Sequence, residues 1–284
     1  MKSFYKVENN ELVIIDKYLD LHITCPFKLP SFSDEDLAIK ENFKIILKKD
    51  EKKNVIEKFF EKNKMIHGEY LTFYENGSLK SKNFYYKNFL HGPSIYYSKD
   101  NKILSESWFC YGKRQGKMNK FYKNGKIYSN ESYKDDNFHK EQKYFYENGS
   151  LKSCLNYFEG VLDGEVILFW PNKMKKRQIF FKKGKRENFD RIWNEKGVLI
   201  DEAEYENNSP VNRHFRYTDD GKLFEEIYYY NPNLYDRKVY DENSEIILET
   251  KFDGQNTVIE KSFDNFLGKW ISKTGVWDGK QVRY

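Results

Sequence analysis

The apolar and polar positions of this chain recur every 24 residues. Rows begun at positions 68, 92, 116, 140, 164, 188 and 212 align without insertion or deletion. The sixth place of each row is always aromatic: Phe73, Tyr97, Phe121, Phe145, Phe169, Trp193 and Tyr217. So is the eighteenth: Tyr85, Phe109, Tyr133, Tyr157, Phe181, Tyr205 and Tyr229. The twelfth is Leu79, Ile103, Ile127, Leu151, Lys175, Leu199 and Leu223, and the tenth is glycine except for Asn101 and Lys173. A fixed period of this length is one supersecondary unit per repeat.

Within a row the alternation has period two, so each row predicts two short strands around a turn, such as Gln142–Tyr146 and Leu151–Tyr157 about Glu147-Asn148-Gly149. A two-residue Asn-Gly loop would set the sixth place opposite the thirteenth and put the apolar columns on different faces. A three-residue loop sets the sixth opposite the twelfth, so one buried face predicts a type I turn closed by a left-handed glycine. The fold class expected is all-β, an extended antiparallel meander of 24-residue hairpins.

Residues 44–67 read as a degenerate first row, with His67-Gly68 matching His91-Gly92. Residues 1–43 leave the frame and predict a cap: a turn at Asn9-Asn10, one or two strands over Glu11–Thr24, a break at Pro26 and Pro30, and a short helix begun by Ser33 and running to Lys40. After Asp236 the register slips by about one residue. Strands are expected at Glu245–Phe252, Thr257–Phe263 and Val276–Arg283, with Trp270 and Trp277 shielding the distal end. The division expected is a cap at 1–43, an array at 44–250 and C-terminal strands at 251–284.

Composition agrees with a thin sheet. Aromatics make up 18% of the 284 residues against 39% hydrophobic in all, so burial rests on rings more than on aliphatic side chains. A net charge of +5 permits an acidic partner without demanding one. There is no signal-peptide pattern and no apolar run long enough for a transmembrane helix. Cys25, Cys110 and Cys154 are odd in number and lack CxxC spacing, which points to a reducing cytoplasm, and the Lys, Asn, Ile, Tyr and Phe bias suggests an AT-rich bacterial or phage genome.

The motif Gly-x-x-x-x-Phe-Tyr-x-Asn-Gly-x-Leu-Lys, seen as GEYLTFYENGSLK at 68–80 and followed by segments such as YFEGVLDGEVILFWPN at 157–172, resembles the MORN repeat. It is most similar to the bacterial variant of YwqK-type, antitoxin-labelled proteins. The resemblance covers about 44–250 and implies a β-hairpin array that binds proteins or, in some members, lipid head groups. Lys140, Asn188 and Asn212 replace the row-opening glycine, and Lys173 replaces the turn glycine, so these rows depart from the pattern.

Candidate chemistry is sparse. His67, His91 and His139 share one column, but neighbouring hairpins place equivalent atoms about 9–10 Å apart, too far to share a zinc ion, so they read as turn residues. No GxSxG, HExxH or phosphate-binding loop occurs, and no enzyme activity, metal or cofactor is expected; a hydrolase within residues 1–43 is a remote third reading. Two surfaces stand out. One is a basic run, Lys173, Lys175, Lys176, Arg177, Lys182, Lys183, Lys185 and Arg186, continued by Arg191, Arg213 and Arg216 and flanked by Trp170 and Phe180. It suits a nucleic acid or another anionic surface, or else is a solvated sheet face. The other is a ring-rich face of Tyr74, Tyr122, Tyr146 and Trp170 at the seventh place with Tyr96 and Tyr144 two places earlier, suited to protein recognition. The leading expectation is a scaffold that binds a partner protein, in an antitoxin-like or inhibitory role; nucleic-acid binding through 173–186 is the alternative.

Overall fold

From Lys44 onward the strands follow one another as an open antiparallel meander of hairpins, as the alternation predicts. The computed structural model describes residues 5–8, 11–16, 21–26, 30–33 and 35–284, with side chains for 30–33, 35–36 and 38–284. The expected turn at Asn9-Asn10 and the side chains of His22 and Cys25 lie outside the described residues. The chain divides into two compact units, residues 1–151 with 157–160 and residues 152–156 with 161–284.

In the first unit, strands Tyr5–Glu8, Glu11–Asp16 and Leu21–Pro26 form a separate antiparallel sheet. The helix Glu35–Lys40 carries Glu35 and Asp36 in its first turn and Lys40 in its last, the charge order that a helix dipole favours. The segment from Pro30 to Phe43 covers one side of the hairpin Val55–Lys62 and Met65–Phe73. Phe32 stacks on Phe60 with ring centroids 4.3 Å apart, and Phe60 is wholly enclosed at 0% exposure. Buried Glu69 accepts from the Phe32 N–H at 2.7 Å and from Ser31 Oγ at 2.9 Å, and pairs with Lys82 at 2.6 Å. Burial alone would raise its carboxyl, but these partners outweigh it and hold it below the usual carboxylate range. Gly68 makes the cap possible: a Cβ there would sit 2.2 Å from the Pro30 carbonyl oxygen, which accepts from the Glu69 N–H.

The three-residue turn is present as predicted. Tyr74 N–H bonds to the Ser78 oxygen, Gly77 N–H bonds back to the Tyr74 oxygen, and Gly77 has φ +79°. Phe73 accordingly faces Leu79, the sixth place opposite the twelfth, and Trp193 faces Leu199 in the same way. The pair of bonds recurs at Trp170, Lys173 and Met174, where Lys173 takes φ +73°. Lys173 therefore keeps the turn at a cost of about 1 kcal/mol instead of breaking it. Lys140, Asn188 and Asn212 likewise adopt the left-handed conformation of the opening glycines, with φ of 61°, 60° and 54°. The four departures preserve the geometry of their rows. The other edge is turned by two-residue loops, Lys87-Asn88 and Asn207-Asn208 among them, with both residues at positive φ; these are type I′ turns.

One expectation is corrected. The register shifts by a residue just beyond the three-residue turn, so Thr72 faces Ser81 although Phe73 faces Leu79. The extra residue carries the fourteenth and sixteenth places into the most enclosed columns. Those columns are largely polar, with Ser81, Asn83, Ser129, Glu131 and Glu225 buried beside Ile179, Ala203 and Ile227. The twelfth place is half-buried at Leu79 and exposed at Ile103 and Ile127. At the C-terminal end, Gly275 lies against Val282 and Tyr284, which cover one face there, while Trp270 stands exposed beside Phe263 instead of shielding the end.

Candidate functional site

The histidine column is structural, and it belongs to a wider column of acceptors. His91 Nδ1 accepts from the Tyr111 N–H, and His139 Nδ1 from the Glu159 N–H. In other rows Gln115 accepts from Asp135, Asp163 from Lys183, and Glu187 from Asn207, always at the first residue of the next type I′ turn. The last place of a row thus holds the turn of the following row. The sequence carried this signal as a column of His, Gln, Asp and Glu, hidden because the residue types differ while the acceptor role is shared.

His67 occupies the same column between the rings of Phe43 and Tyr86, at 5.6 and 5.7 Å. Burial, aided by Lys62 and Lys87, pushes its imidazole below the ordinary histidine value. The folded state then binds fewer protons than the unfolded chain, so its stabilising contribution is full above the unfolded pKa of about 6.5 and is lost as pH falls below it. The first unit should lose stability between about pH 7 and 5, by at most about 1.4 kcal/mol per pH unit from this group. Denaturant midpoints across that range should flatten in His67→Gln, which copies Gln115; an unchanged slope would remove His67 as the cause.

The seventh-place rings are tied into the scaffold by their polar ends. Tyr74 donates its O–H to the Tyr97 oxygen at 2.7 Å, Tyr122 to the Phe145 oxygen at 2.8 Å, and Trp170 its Nε1–H to the Trp193 oxygen at 3.0 Å. Each therefore staples its row to the next. Tyr146 is half-buried. Tyr96 lies between Ser81 and Ser105 and is 44% exposed. Tyr144 meets Tyr128 edge-on at 6.2 Å, and Tyr128 meets Tyr122 at 5.3 Å. Tyr128, 40% exposed, joins Tyr122 and Tyr144 into one cluster, a link the row pattern did not single out because the thirteenth place varies. Burial, with the Glu131 carboxylate next, pushes the Tyr144 hydroxyl up to about 12, so it stays protonated.

The basic run is divided in the second unit. Arg177 makes a two-pronged pair with buried Asp190 at 2.8 and 2.6 Å, and Arg186 approaches the same carboxylate at 3.5 Å. Arg191 pairs with Glu202 at 2.6 Å, and Arg216 with Glu225 at 2.7 Å and Asp201 at 3.5 Å. These arginines are neutralised within the sheet. Lys175 donates to Gln178 at 2.8 Å, while Lys176 lies over the Trp170 ring at 4.2 Å with Lys173 exposed in the turn nearby. Lys182, Lys183 and Lys185 gather at the opposite end of strand Lys175–Lys182, about 20 Å away along the strand. Arg213 is exposed opposite Tyr228. The run is two lysine groups separated by a neutralised middle.

Among the described residues no group of three or more metal-ligating side chains converges, and no helix is long and apolar enough to cross a membrane. A family model described as the MORN repeat variant matches residues 66–88, 114–135 and 138–158. The first match corresponds to the hairpin Met65–Phe73 and Leu79–Tyr86. No curated protein matches the sequence. The matched segments are similar to repeats that in general form scaffolds binding proteins or membranes.

Proposed function

We propose that this β-repeat chain is a non-enzymatic scaffold that binds a partner protein and acts in an antitoxin-like or inhibitory way in the cytoplasm of a bacterium or phage-infected cell. The observation that supports it is the pair of half-exposed tyrosines, Tyr96 and Tyr128, set on a sheet whose neighbouring rings are hydrogen-bonded or packed in place. Rings held this way offer contact area at low entropic cost, which is what protein-recognition surfaces use. An inhibitor needs no more chemistry than a rigid face that occludes its target.

The test is capture from a lysate of the source cell by the immobilised chain and by Tyr96→Ser/Tyr128→Ser. One defined protein, retained stoichiometrically by the native chain and reduced about tenfold in the variant, is the expected result; loss of that partner's activity on adding the chain would establish inhibition. Equal recovery by both chains would sink the tyrosine assignment. A second reading, binding of nucleic acid or another polyanion, rests on exposed Lys173, Lys182 and Lys183 and on half-buried Lys176 over the Trp170 ring. It calls for salt-sensitive RNA or DNA binding that disappears in Lys173→Glu/Lys176→Glu. Arg177 is unsuitable for that test because its loss would strand Asp190.

A further inference from the structure

Three of the three-residue turns carry an exposed asparagine directly before glycine: Asn76-Gly77, Asn124-Gly125 and Asn148-Gly149. All three lie in the first unit. Asparagine is a chemically labile residue, because its side-chain Cγ is open to attack by the main-chain nitrogen of the next residue. Glycine hinders that attack least, since it has no Cβ. The attack forms the Cγ–N bond of a succinimide ring and expels ammonia. Water then opens the ring at either carbonyl, leaving aspartate or isoaspartate. Water is the only co-reactant.

The turns differ in how firmly they hold each carboxamide. In all three the glycine N–H donates to the carbonyl that opens the turn, at Tyr74, Tyr122 and Tyr146. Asn76 Oδ1 accepts from the Ser78 N–H at 3.1 Å and from Ser78 Oγ at 2.7 Å. Asn148 Oδ1 accepts from the Ser150 N–H at 2.8 Å and from Ser150 Oγ at 2.7 Å. Asn124 meets a lysine at that place instead. Its Oδ1 accepts from the Lys126 N–H at 2.9 Å, and its Nδ2 reaches the Glu147 oxygen at 3.4 Å. We propose that this edge of the first unit is a site of spontaneous deamidation, at Asn124 ahead of Asn76 and Asn148, with the Ser78 and Ser150 hydroxyls as clamps that hold the latter two back. Asn172 supplies an internal comparison. It has the same turn and the same bonds, to the Met174 N–H at 3.0 Å and the Glu195 oxygen at 2.7 Å, but lysine follows it.

The two products act differently on the row. Aspartate keeps the acceptor oxygen, but at residue 124 it loses the donor that reaches the next row. Isoaspartate routes the main chain through the side-chain carbon and adds an atom to a turn whose length is fixed by its bonds at both ends. Full conversion takes the net charge from +5 to +2, one unit for each amide lost. Because the turns open at Tyr74, Tyr122 and Tyr146, the new charge arises beside the ring-rich face. The chemistry holds whether or not that face binds a partner.

The test is to hold the full folded chain in mildly alkaline buffer for some weeks, weigh its proteolytic peptides, and detect isoaspartate with an isoaspartyl methyltransferase. A one-unit mass gain is expected at all three sites, about threefold faster at Asn124 than at Asn76 or Asn148, and about tenfold slower at Asn172 than at any of them. Each rate should rise with pH, since the attacking amide must lose its proton. Ser78→Ala leaves the main-chain bonds of its turn in place and should bring Asn76 up to about the Asn124 rate. If the folded chain stays unmodified while the unfolded chain converts, the site is overturned. Conversion of Asn172 as fast as the others would overturn it as well. An Asn76 rate that is unchanged or lower in Ser78→Ala would overturn the clamp.

Discussion

Phe60→Ala is expected to destabilise the first unit by about 3–5 kcal/mol, the cost of deleting a fully enclosed ring. Phe60 is completely buried, and its stacking partner Phe32 belongs to the segment that covers the hairpin. The rest of the contact is also held from one side: Lys58 pairs with Glu35 at 2.7 Å and lies 4.0 Å over the Phe32 ring, while Lys62 donates to the Glu41 oxygen at 2.9 Å. A cavity at residue 60 therefore loosens the cap as well as the hairpin. Urea unfolding of Phe60→Ala, Phe32→Ala and the double variant would measure the coupling. A loss below about 1 kcal/mol in Phe60→Ala would contradict its place in the core.

Glu225→Ala should cost the second unit a comparable amount, about 3–5 kcal/mol. Glu225 is 2% exposed and receives Arg216 at 2.7 Å and Arg237 at 2.6 Å. Arg216 also leans on Asp201, which bonds His214 at 3.1 Å, so the carboxylate sits between two arginines in a line of polar contacts across the sheet. Its removal leaves Arg237 without this partner and Arg216 with Asp201 alone, and that stranded charge, more than the lost bonds, sets the magnitude. Arg237→Met in the Glu225→Ala background should recover part of the loss. If the double variant is no better than the single one, stranded charge is not the cause.

How much of this could be read in advance divides along physical lines. The three-residue turn followed from residue types alone, since only that loop opposes Phe73 to Leu79 and only a left-handed residue closes it. The helix at Glu35–Lys40 was visible for a similar local reason. The enclosed columns were not, because a single bulged residue beyond the turn changes which side chains face inward, and no side chain announces the bulge. The basic run misled for a related cause. Arg177 and Asp190 stand thirteen residues apart and meet only through the pairing of their two strands, so charge counted along the chain overstated charge on the surface. The aromatic face was legible as a set of rings, but the hydrogen bonds of Tyr74, Tyr122 and Trp170 reach a carbonyl one row ahead, which spacing alone does not reveal.

The acceptor at the end of each row has a consequence for how such a chain lengthens. The bond from the next turn is made at a fixed separation, His91 to Tyr111, His139 to Glu159 and Asp163 to Lys183, whatever the acceptor. A duplication or deletion of one whole row at its boundary restores every such bond with new neighbours. An insertion of a single codon inside a row changes the separation of the acceptor–amide pair that spans it, while later pairs keep theirs. Gene-level change that keeps every such bond therefore comes in steps of 24 codons.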